Sequence, residues 1–190
     1  MFDTVFGLPM HPLVVHATAV LVPLAALSVV LQVCWPRFRA WAGPLPAVLS
    51  LVGLVLTPLS TASGEALEEK VSESSLVERH AELGDQLLPF TIALFVFSAG
   101  FWWLDRQRHR LAAAAAPVIP TVEAASGGST TLTAVKPAQT AVHNLARLRT
   151  ATAIVGVLAV LAALGTGIQV GRIGHTGAKA AWSDASSAIV

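Results

Sequence analysis

The stretch Leu8–His16, LPMHPLVVH, places His11 and His16 at the start of the first long apolar run. Pro12 between them suits the first turn of a helix, where its missing N–H is not needed. With a helix starting at Pro12, His16 lies about one turn inside it, some ~6 Å down the axis. An imidazole one turn into a hydrocarbon-facing helix is costly to leave unpaired. His80, His175 and the carboxylate of Glu65 are the partners the rest of the chain offers. Neutral imidazole is a ligand for haem iron, zinc, copper and non-haem iron, so these types together point to metal, haem or proton chemistry.

The elements that must position these residues are apolar. The chain has 190 residues, 54% hydrophobic and 12% charged, with mean hydropathy +0.68. Soluble domains carry about twice that charge, so the class is integral membrane protein. Four runs have the length and composition of spans: about 12–33, 44–63, 86–104 and 150–170. The expected fold is all-α, a four-helix membrane bundle forming one domain over 1–190. Pro23 and Pro58 lie inside the first two spans and should loosen one backbone hydrogen bond each. Trp35-Pro36-Arg37-Phe38-Arg39-Ala40-Trp41 reads as a short basic, aromatic turn in the interfacial belt. Ser75-Leu76-Val77-Glu78 has capping-box spacing, which predicts a helix start, with Leu76, His80, Leu83 and Leu87 on one face. Residues 111–139 are rich in Ala, Pro, Ser, Thr and Gly and read as a low-complexity loop. His143 to Thr150 reads as the start of the last helix. Gly167-Ile168-Gln169-Val170-Gly171 matches a small-residue packing motif common by chance.

Four spans put both termini on one side. The other side holds eight of the twelve basic residues, including Arg37, Arg39, Arg106, Arg108 and Arg110, and two of the eleven acids, Asp105 and Glu123. The positive-inside rule makes that side, with the 111–139 loop, cytoplasmic. The termini and the acidic 64–85 segment then face outward. That outer side is the periplasm or the cell exterior, and the bilayer is the first partner. MFDTVFG has no basic n-region, so no cleaved signal peptide is expected. The single Cys34 excludes an internal disulfide, and a net charge of +1 leaves no nucleic-acid footprint.

This orientation gathers His11, His16, His80 and His175 at the outer ends of three spans and Glu65 at the outer end of the other. His109 and His143 fall on the inner side beside arginines. A b-type haem with two axial histidines would draw them from different helices, as His16 with His80 or His16 with His175. A transition-metal ion could take His11, His16, His80, His175 and Glu65. His11 and His16 are five apart, roughly 140° round a helix, so they share no face. The opposing reading is structural. His11 then caps the first helix or meets a headgroup, and His16 bonds Ser60, Thr61 or a carbonyl freed by Pro58. On the same reading His80 faces solvent and His175 shapes a turn. No CxxCH or HExxH is present, so neither covalent haem nor a zinc protease is supported.

His11-Pro12-Leu13-Val14-Val15-His16 opening a first span, with Gly174-His175-Thr176-Gly177-Ala178 followed by Trp182 near the end, resembles a bacterial family of small four-helix inner-membrane proteins. That family is known mainly as a domain of unknown function. Some relatives are fused to, or encoded near, Rieske-type iron–sulfur domains. The resemblance implies a link to membrane electron transfer, with the histidines as haem or metal ligands. This chain has no Rieske-type cysteine and histidine pairs, so an iron–sulfur partner would be a separate protein.

Three functions compete on these grounds. The first is a haem b- or metal-binding subunit of membrane electron transfer. The second is a cofactor-free assembly or scaffold protein, and the third a small transporter. No nucleophile–base arrangement or phosphate loop favours an independent enzyme. The glycines of the fourth span favour close helix contact within the bundle or in a homo-oligomer.

Overall fold

The computed structural model describes residues 4–5, 8–68, 75–114 and 139–187. A two-residue antiparallel pair, β1 (Thr4–Val5) with β2 (Leu8–Pro9), leads directly into α1 (Met10–Cys34). Then follow α2 (Pro36–Ala42), α3 (Leu45–Glu68), α4 (Ser75–Asp85), α5 (Leu87–Ala114) and α6 (Gln139–Ser187). Four helical stretches are long and apolar enough to cross a membrane: Leu13–Cys34 in α1, Leu45–Glu65 in α3, Glu78–Ala114 through α4 and α5, and His143–Lys179 in α6. The chain is therefore a helical membrane protein, as its composition requires.

The four long helices close into a ring. α1 packs on α3 and α6, and α5 packs on α3 and α6. Neighbours run antiparallel: Val22 meets Gly53, Gly100 meets Val155, and Phe90 meets Gly165. One end of the bundle carries the histidines of interest; the other carries Arg37, Arg39, Arg106, Arg108 and Arg110. They are called the histidine end and the arginine end below.

Small residues set the spacing inside the ring. The buried centre is Ala25, Ala26, Val29, Leu94, Ala159 and Ala163, with Val33, Leu49 and Phe97 packed against it. In lipid the apolar effect does not drive helices together, so close contact of small faces does. Gly156 shows how tight this is: a Cβ there would lie 3.1 Å from Phe101 and 3.3 Å from Val33. A Cβ on Gly165 would come 3.0 Å from the Phe90 ring.

Three segments depart from the sequence reading. The 34–43 connection is not a turn alone but holds a helix, α2, started by Pro36 in the first turn and ended by Gly43 at φ 54 and ψ −120. The tail after 170 continues as helix to Ser187, because nothing in it breaks the i→i−4 ladder: Gly174 and Gly177 are tolerated and no proline follows. The last helix begins at Gln139, earlier than the 143–150 start. A helix does begin at Ser75, and Pro23 and Pro58 sit within unbroken helices. Most of the low-complexity loop, 115–138, lies outside the described residues.

Candidate functional site

At the histidine end, α4 lies across the side of α6 and also touches α3 and α5. Leu83 is its buried anchor, and Leu87, the first residue of α5, is buried beside it in sequence. His80 is half-buried on the same face, as the spacing predicts. Its Nδ1 is 3.4 Å from the Thr176 hydroxyl. The ring lies over Gly177, where a Cβ would come 3.0 Å from Cε1. Glycine at 177 is thus what admits the imidazole against α6. Thr176 itself donates back to the carbonyls of Arg172 and Ile173.

The other histidines at this end do not join His80. The core stripe of α1 runs through Thr18, Val22, Ala25 and Val29, and His16 lies roughly 150° round from it at 3.6 residues per turn. It is exposed on the outward face, and it is engaged in an interaction rather than free. His175 stands in the same relation to α6, roughly 150° from the Thr166–Gln169 stripe, and is exposed. Both are therefore turned away from the interior of the bundle. Glu65 is exposed near the end of α3. His11 is in the first turn of α1, but its side chain lies outside the described residues. Among the described residues no three His, Cys, Asp or Glu side chains come together as a metal site. Thr61, one of the suggested partners of His16, donates to the Pro58 carbonyl of its own helix, and Ser63 donates to that of Ser60.

Buried polar side chains inside the bundle serve the backbone in the same way. Thr18, Ser50, Thr57 and Thr152 each donate to the carbonyl four residues earlier, and Ser28 to the one three earlier. Two amides cross between elements: Gln169 Nε2 donates to Leu83 O at 2.9 Å, tying α6 to α4, and Gln32 Nε2 donates to Gly43 O at 3.1 Å. Gln32 Oε1 and Ser98 Oγ are buried without a hydrogen-bond partner among the described residues.

The best-developed charged cluster is at the opposite end, and the sequence reading missed it. Asp105 is buried and accepts from Arg39 Nη1 at 3.1 Å and Arg108 Nη2 at 2.8 Å, with His109 Nε2 3.5 Å from its other oxygen. Arg39 also donates from Nε to Gln32 O and from Nη2 to Val33 O, both at 3.0 Å. Those are last-turn carbonyls of α1, otherwise left open at a helix C-terminus. The guanidinium lies 5.1 Å from the Phe101 ring centre, a cation–π contact. One side chain thus caps α1, holds α2 and reaches α5. Read along the chain, Arg39 and Asp105 are one basic residue of a turn and one acid among arginines; their 66-residue separation hides the pair.

Compared with protein-family models, curated proteins and solved structures, the chain matches none of them.

Proposed function

We propose that the protein is a membrane-embedded assembly or scaffold subunit whose interior serves its own architecture and whose outward faces meet other components of a larger complex. The observation that carries this reading is the use of the interior polar groups. Nearly all bond carbonyls of the bundle, and the helix faces between them close over alanine and glycine. The exposure of His16 and His175 on faces turned from the core stripes speaks against that pair as ligands drawn from facing helices inside one bundle. A transport path through the ring is disfavoured by the same packing.

A second reading rests on one specific observation. His16 and His175 are both exposed at the histidine end, and antiparallel register from Val33 beside Gly156 puts His16 level with about residue 173 of α6. A haem b or a transition-metal ion would then be shared with a second copy or a redox partner such as a Rieske-type protein. His80, His11 and Glu65 would be the remaining donors of that reading. In either case we place the protein in a bacterial inner membrane, with the arginine end cytoplasmic and both termini outside.

The test of the scaffold reading is the size of the particle extracted from native membranes in mild detergent. Native mass spectrometry should find the 19.7 kDa chain in stoichiometric association with other polypeptides. A uniform lone chain, under conditions that keep other membrane complexes intact, would overturn it.

A further inference from the structure

A groove of about 400 Å3 opens between α4 and α6 at the histidine end. Its walls carry Glu78, Arg79 and Glu82 from α4 and Arg172 from α6, with Leu83 and Gln86 below them. The floor is fixed, since Leu83 is buried and its carbonyl holds Gln169. Two carboxylates and two guanidiniums face one space, yet among the described residues none of the four is ion-paired with another. Four charges with balanced sign and no internal pairing present donors for an anion and acceptors for a cation side by side.

The position of the groove narrows the ligand. The apolar run of α5 begins at Leu87, directly after Gln86 of the groove, and that of α6 ends near Val170, directly before Arg172. The groove therefore sits at the rim of the bilayer, where headgroups lie. We propose that it binds an ammonium–phosphate zwitterion of the phosphoethanolamine type, as carried by phosphatidylethanolamine or free in solution. The planar guanidinium forks of Arg172 and Arg79 match phosphate oxygens. Glu78 and Glu82, one turn apart on one face, accept from the three N–H donors of a primary ammonium. A choline headgroup has no N–H to give them, and an anionic glycerol headgroup places no positive charge there. The site does not depend on the scaffold reading, nor on which side of the membrane the histidine end faces.

The test uses the full chain in detergent, scored by native mass spectrometry for retention of added phosphatidylethanolamine, phosphatidylglycerol and phosphatidylcholine. Phosphatidylethanolamine should be retained roughly tenfold over the other two, the scale of one charge-assisted hydrogen bond. Arg172→Gln should weaken retention of it, and Glu82→Gln should erase the preference over phosphatidylcholine. Both side chains line an open groove, so neither change threatens the fold, and Lys179→Gln serves as the control. Soluble phosphoethanolamine is titrated in parallel. Binding of it without lipid preference assigns a soluble source, and lipid preference without its binding assigns the membrane; either supports the site. Equal retention of the three lipids with no phosphoethanolamine binding overturns the proposal. So does a preference that survives both substitutions.

Discussion

Removing the carboxylate of Asp105 tests the arginine-end clamp. Asp105→Ala strips Arg39 and Arg108 of their shared acceptor at 3.1 and 2.8 Å. Breaking a fully buried pair costs about 3–5 kcal/mol, because the surviving charge is left without a partner. Two features reduce that here. The Arg39 side chain is 20% exposed, and its Nε and Nη2 keep their bonds to Gln32 O and Val33 O. The expected loss is therefore about 1–3 kcal/mol, above the ~0–1 kcal/mol of a surface ion pair. Arg39→Met should cost at least as much, since it also uncaps α1 and removes the guanidinium from the Phe101 ring. The double variant separates the pair from these other losses: the cycle should return a coupling of about 1–2 kcal/mol. The assay is equilibrium unfolding of the purified protein in mixed micelles by denaturing detergent, followed by tryptophan fluorescence. A coupling near zero, with Asp105→Ala costing under about 0.5 kcal/mol, would refute the reasoning.

Four other outcomes follow from the same geometry. Gly156→Leu should destabilise by roughly 1–3 kcal/mol in the same unfolding assay, because Phe101 and Val33 already stand 3.1 and 3.3 Å from the first added carbon. Gly43→Ala should cost about 1–3 kcal/mol, since the turn between α2 and α3 needs φ 54 with ψ −120. Gln169→Leu should cost about 1–2 kcal/mol and raise hydrogen exchange in α4 before it does so in α1 or α3, because it leaves the Leu83 carbonyl without its donor. Gly177→Val should push the His80 ring off α6, seen as loss of its present imidazole NMR shifts while His175 keeps its own.

Span number and helix type were legible because a run of about 20 apolar residues has few other fates. The helix start at Ser75 and the face shared by His80, Leu83 and Leu87 were legible for a local reason: both follow from residues within a few positions of one another. What span counting could not supply was rotation. Histidines near the ends of spans come to one level in any bundle, but whether they meet depends on where each helix turns its core stripe. Along α1 that stripe is marked by Thr18, Ser28 and Gln32 as much as by Val22 and Val29. An apolar-only reading sees leucines and valines on all sides and no preferred face. A signal was present: in a membrane helix the small and hydroxylated positions, not the largest hydrophobic ones, mark the buried side. Applied to Thr18, Ala25, Ala26 and Ser28, that rule turns His16 outward from sequence alone. The Arg39–Asp105 pair had no comparable local signature, because α2 had to form before Arg39 could reach α5.

Reduced-minus-oxidised visible spectra, taken with elemental analysis on protein from haem- and metal-replete cells, test the central claim most directly. Wild type should be compared with His16→Ala, His80→Ala and His175→Ala. A bundle whose interior serves its own architecture predicts no b-type spectrum and no stoichiometric metal in any of the four, with all of them folded. A b-type signal or one bound metal per chain in the wild type, lost in His16→Ala, would contradict it and establish the histidine end as a ligand site.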